Sequence, residues 1–101
     1  MTRKAAPLEK DIQTKILEYL TKRGVFHFKA IVSSKLGIPD IITCINGRFV
    51  CFEVKRSENA RIHPMQHHIH EQITEAGGEV YIVWSVAQVK QVVEFSIKSV
   101  E

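Results

Sequence analysis

Gly37-Ile38-Pro39-Asp40-Ile41-Ile42-Thr43-Cys44-Ile45-Asn46-Gly47-Arg48-Phe49-Val50-Cys51-Phe52-Glu53-Val54-Lys55 decides the reading of this chain. Two apolar, β-prone runs flank Asn46-Gly47, the dipeptide that most strongly signals a two-residue hairpin turn. With that turn, Ile45 faces Arg48, and counting outward along both arms brings Asp40 opposite Glu53 on one face of the hairpin. Directly opposed strand residues have Cβ atoms about 4.5–5.5 Å apart. Lys55 follows Glu53 by two residues and points to the same face. Like charges held this close repel, so a cation is expected between the carboxylates. A divalent metal ion with oxygen ligands, with Lys55 beside it, answers that need.

The rest of the chain supplies a compact frame for this hairpin. At 101 residues, 45% hydrophobic and 25% charged, it has the size and composition of one globular domain. The whole of 1–101 is therefore read as a single domain with its core at about 8–97. No apolar run approaches the roughly 20 residues that span a bilayer. Met1-Thr2-Arg3-Lys4-Ala5-Ala6-Pro7 is basic but has no apolar stretch, which argues against a secretory signal, and a cytoplasmic setting is expected. The formal charge of +3 is a mild bias toward polyanions. Lys29, Lys35, Arg48, Lys55, Arg56 and Arg61 gather around the hairpin in sequence. Cys44 and Cys51 fall diagonally in the expected register rather than opposite one another, so they read as buried, reduced core thiols.

Leu8, Ile12, Ile16, Leu17 and Tyr19-Leu20 recur at helical spacing after Pro7, and Gly24 closes that pattern. Glu9, Gln13 and Lys22 are assigned to its flanks or outer face. Val25 to Val32 reads as a strand that carries Lys29, and Ser33 to Gly37 as a loop. After the hairpin, Arg56 to Ile62 is a polar loop. Pro64 is at a first helical position, the helix runs from about Met65 to Ala76, and Gly77-Gly78 ends it. Val80 to Trp84 is a buried strand. Ser85 caps a helix over Ala87 to Val93, and the tail near Phe95–Ile97 is expected to form a last strand. The order α-β-β-β-α-β-α implies an α/β sandwich with a mixed sheet, its helix-linked strand parallel to a neighbour.

Taken together, Glu9 and Gln13 on the first helix, Gly37-Ile38-Pro39-Asp40, Glu53-Val54-Lys55 and Gln66 at the start of the next long helix resemble the PD-(D/E)XK nucleases. Within them they are most similar to the virus-type replication-repair nuclease (VRR-NUC) domains, in stand-alone, phage-like form. The resemblance runs from about Leu8 to Trp84 and implies a restriction-endonuclease-like α-β-β-β-α-β core, with a mixed central sheet flanked by helices. It also implies that Asp40, Glu53, the Val54 carbonyl and Glu9 hold Mg²⁺ or Mn²⁺. Lys55 would orient or deprotonate the attacking water, and Gln66 would support the site. Lys29, where relatives often carry Arg, is then a DNA contact, with Lys35, Arg48, Arg56 and Arg61. His63-Pro64-Met65 stands where Ser or Thr commonly caps the helix.

The function so implied is metal-dependent, structure-specific cleavage of DNA, resembling Holliday-junction resolution by a homodimer on four-way junctions. A flap, nick or single-strand nuclease with the same site, a ribonuclease, and a non-catalytic DNA-binding subunit stay open alternatives. His63, His67, His68 and His70 are spaced for a zinc site or for a polar helix face near DNA. Trp84 and Phe95 are expected in the core or in an interface.

Overall fold

The computed structural model describes residues 7–99. Its elements are α1 (Glu9–Arg23), β1 (Phe26–Lys29), β2 (Ile41–Ile45), β3 (Arg48–Val54), α2 (Pro64–Glu75), β4 (Glu79–Val83) and α3 (Val86–Lys98). The strands form one sheet in the order β1-β2-β3-β4. The first two pairings are antiparallel and β3–β4 is parallel. That mixed pattern follows from the connections: the two-residue turn and the 30–40 loop bring antiparallel neighbours together, whereas the α2 crossover returns the chain to run parallel to β3.

The hairpin has the register expected from its turn. Ile45 pairs with Arg48 and Ile41 with Phe52. Asn46 and Gly47 both have positive φ, 50° and 81°, as a type I′ turn requires. Strand alternation then divides the side chains. Val50, Phe52 and Val54 enter a core with Ile12, Ile16 and Leu20 of α1, Ile41 and Ile45 of β2, Val83 of β4, and Val89 and Val93 of α3. Phe49, Cys51, Glu53 and Lys55 face the other way, toward α2. Burying apolar surface at about 25 cal/mol per Å² makes the first face the source of cohesion and leaves the second free for polar work.

Several local expectations change. β1 ends at Lys29: after the Ala30 N–H to Asp40 carbonyl bond the chain leaves the sheet, and Ile31 and Val32 stand 83% and 91% exposed. The tail near Phe95–Ile97 is not a strand, because α3 continues through it to Lys98. A Ser85–Gln88 capping box starts that helix, and Val89, Val93 and Ser96 keep its inner face buried. Gln13 is buried at 8% exposure rather than on an outer face. Cys51 is buried, but Cys44 is exposed, because α2 covers the β3–β4 side of its face and leaves the β1–β2 side bare. Trp84 is half-buried, and Phe95 is exposed with the Arg48 guanidinium 5.7 Å from its ring centre.

Gly37 joins the loop before Asp40 to the start of α2. Its φ is +84°, and a Cβ there would lie 2.5 Å from the Met65 carbonyl oxygen and 2.8 Å from its carbon. Both are backbone atoms and cannot swing aside. Gly37→Ala is expected to destabilise the fold by about 1–3 kcal/mol or more, read as a lowered melting temperature. Cleavage should fall further than stability explains, because the loop bearing Asp40 and the helix bearing Gln66 must part.

Candidate active site

The carboxyl groups of Asp40 and Glu53 meet at the open end of the hairpin, where β2 begins and β3 ends. Asp40 Oδ2 accepts the Val54 N–H at 2.7 Å, which ties the aspartate to the partner strand. Glu53 is 1% exposed and hydrogen-bonded to Asp40. Beside a second carboxyl, the buried Glu53 favours its protonated form. Burial first, then the bond and charge of Asp40, raise the Glu53 pKa from 4.5 to about 9; Lys55 opposes the shift and Glu9 adds to it. The contribution from Glu9 puts the first turn of α1 within electrostatic reach of the pair.

Lys55 continues β3, its N–H bonded to the Val83 carbonyl at 2.8 Å. Its ammonium is 4.0 Å from Glu53 Oε2 and 3.1 Å from Gln66 Oε1. The same Gln66 oxygen accepts the His63 N–H at 2.9 Å, while the His63 ring accepts the Met65 N–H. His63 is thus the N-cap of α2, in the place where Ser or Thr was the usual choice, and Gln66 closes the capping box. One amide oxygen both starts the helix and holds the lysine.

The four histidines do not act as a cluster. His63 caps the helix, His67 and His68 are exposed, and His70 turns inward to place Nε2 3.2 Å from Glu53 Oε1. Burial, with the positive fields of His67 and Lys55, lowers the His70 pKa. This contact was missed in the sequence, although the four-residue step from Gln66 to His70 was a usable signal. Among the described residues, no three His, Cys, Asp or Glu side chains are grouped to hold a metal ion. The acidic donors that stand together are Asp40 and Glu53.

Of the cationic residues expected to meet DNA, Lys29 and Lys35 are exposed beside the Asp40 loop, and Arg56 and Arg61 lie in the segment between β3 and α2. Arg48 is placed differently. It stands at the turn end of β3, about 17 Å along the strand from Glu53 by strand rise, and its guanidinium is bound through two nitrogens to Glu79 at 2.6 and 2.8 Å.

A mixed sheet with an acid pair at a strand end, a Glu-x-Lys on the central strand and a supporting helix defines a nuclease of restriction-endonuclease-like architecture. The family model for archaeal Holliday junction resolvase matches residues 2–101. The chain belongs to that family: it is a structure-specific endodeoxyribonuclease of the Holliday-junction-resolvase type. A solved structure titled "VRR_NUC domain" is also similar, with 29% sequence identity and a TM-score of 0.73 over 85% of this chain and 94% of that one. No curated protein matches the chain. No helix among the described residues is long and apolar enough to cross a membrane.

The raised Glu53 pKa has a direct effect on stability. Between 4.5 and about 9 the folded chain keeps a proton that the unfolded chain releases. Unfolding is then favoured as pH rises through that window. The metal-free protein should lose melting temperature across it, and Glu53→Gln, which cannot ionise, should largely remove the slope. Parallel melting curves for the two proteins would contradict a buried, protonated acid.

Proposed function

We propose that the chain cuts four-way DNA junctions in a reaction that depends on Mg²⁺ or Mn²⁺. Asp40 and Glu53 are its metal-holding pair, and the Val54 carbonyl and Glu9 are further donors. The observation that carries this reading is the opposition of the Asp40 and Glu53 carboxyl groups at the strand end, with Glu53 buried and the Lys55 ammonium 4.0 Å from it. Such a pair is costly without a cation. Its chemistry also fits a hard ion: Mg²⁺ characteristically takes one or two protein carboxylates, keeps waters and shares substrate phosphate oxygens. When bound, the metal lowers the pKa of its water and offsets charge on the phosphoryl oxygens.

The protein's own groups do the rest. Lys55, fixed by Gln66, presents an ammonium to the scissile phosphate and orients the attacking water, a compact positive charge in an enclosed site. Val54 N–H holds one Asp40 oxygen, so the aspartate keeps its direction as charge moves. Lys29, adjoining the Asp40 loop, with Lys35, Arg56 and Arg61, contacts backbone phosphates and sets the approach of the DNA. The commitment of Arg48 to Glu79 makes it the weakest of the DNA contacts expected from sequence. Work on DNA implies a cytoplasmic location.

A four-way junction has twofold symmetry, and one active site cuts one strand, so the working form we propose is a homodimer. Exposed Phe26, Phe28, Ile31, Val32, Leu36 and Phe49 supply more apolar surface than Trp84 or the tail. Concentration-dependent sedimentation should give twice the monomer mass; a monomer at all concentrations would sink the dimer.

The chemistry is tested with labelled junction, flap, linear duplex and single-stranded DNA. Wild type should nick the junction symmetrically with Mg²⁺ or Mn²⁺. Asp40→Ala should lose at least about 10²–10³-fold in rate while still binding the junction. Preference for flaps or single strands would replace the substrate and keep the site, and equal cutting by both proteins would remove Asp40 from the chemistry.

A further inference from the structure

Gln66 and His70 are one helical turn apart on α2 and share a face. Glu53 and Lys55 are two residues apart on β3 and share a face. The contacts pair in order: Gln66 Oε1 with Lys55 Nζ at 3.1 Å, and His70 Nε2 with Glu53 Oε1 at 3.2 Å. His70 is 12% exposed at its side chain and Glu53 1%. An imidazole enclosed against a carboxyl oxygen differs from the exposed His67 and His68 beside it.

The two oxygens of Glu53 have different surroundings. Oε1 is taken by His70, and Oε2 lies on the Lys55 side at 4.0 Å from the ammonium. The last torsion of a glutamate is soft and roughly two-fold, so a carboxylate without a fixed partner exchanges its oxygens freely. We propose that His70 is a positioning residue: its Nε2–H holds Oε1 and leaves Oε2 as the donor that Glu53 offers to the divalent cation. The role needs only an N–H at that point, which the neutral Nε2-protonated ring and the imidazolium both supply, so it does not turn on the ionisation of His70. Fixing the carboxylate in the folded protein removes that ordering cost from metal binding. Partners that orient a metal ligand in this way typically change metal affinity or activity about 10–100-fold when removed.

The inference rests on the metal-dependent reading above, and the experiment separates the two. Mn²⁺ binding to metal-free protein is followed by loss of the free-ion electron paramagnetic resonance signal in wild type, His70→Leu, His70→Gln and Asp40→Ala. Each variant is first shown to keep a cooperative melting transition, with His70→Phe replacing the leucine variant should that one fail. His70→Leu should weaken Mn²⁺ binding about 10–100-fold, and His70→Gln, which keeps an N–H donor, should recover most of the loss. Junction binding without divalent metal should be the same in all. Unchanged Mn²⁺ affinity in His70→Leu, beside a clear loss in Asp40→Ala, would overturn the role of His70 alone. Equal losses in the leucine and glutamine variants would overturn it too, since a donor would not have mattered. Absence of Mn²⁺ binding by wild type would instead overturn the metal reading.

Discussion

Two carboxyl groups forced together by a backbone register are the constraint on which the rest of the molecule depends. The Asn46-Gly47 turn sets which residues of β2 and β3 face each other, and the pairing brings Asp40 and Glu53 into contact. Left alone, that contact is unfavourable. The surrounding structure meets it with a backbone donor, an imidazole and a positive charge: Val54 N–H on Asp40, the His70 ring 3.2 Å from one Glu53 oxygen, and Lys55 near the other. The large apolar core on the opposite face carries the cost of holding these groups out of water, as a functional site built on rigid elements requires.

α2 is the second determinant. It covers the polar face of β3, and its first turn is secured by one residue with two duties. Gln66 closes the capping box with His63 and receives the Lys55 ammonium through the same oxygen. Gly37 packs its bare Cα side against the Met65 carbonyl, so the Asp40 loop and the helix origin come together without a side chain between them. Helix start, lysine orientation and aspartate placement are therefore coupled.

Most of this was legible in the sequence because its determinants are local. The Asn-Gly turn gave the register, alternation gave the two faces, and Pro64 and Gly77-Gly78 bounded α2. What escaped depended on tertiary partners. Phe95–Ile97 has the look of a strand, but no sheet edge takes it up, and the Ser85–Gln88 cap lets α3 run on. Cys44 sits in an apolar run yet is exposed because no helix covers its side of the sheet. Gln13, one turn from Glu9, was read by polarity alone and is buried. The acid pair followed from the register, whereas Glu9 and the Val54 carbonyl as metal donors, and the role of Gln66, came through family resemblance, because no local pattern in the chain marks them. Arg48 illustrates the difference: its charge suggested DNA, while its place in the fold gives it Glu79.

The alternation of β3 also limits how such a chain can change its length. Glu53 and Lys55 look toward α2, whereas Phe52 and Val54 look into the core, and both sets are fixed by the same parity. One residue inserted into either arm of the hairpin alone would exchange the two faces beyond it, moving acid into the core and valine into the cleft. Residues added equally to both arms on the turn side leave Asp40 opposite Glu53. Length variation in the hairpins of such proteins should therefore come in matched pairs near the turn, whereas the loops on either side of α2 answer to no such parity.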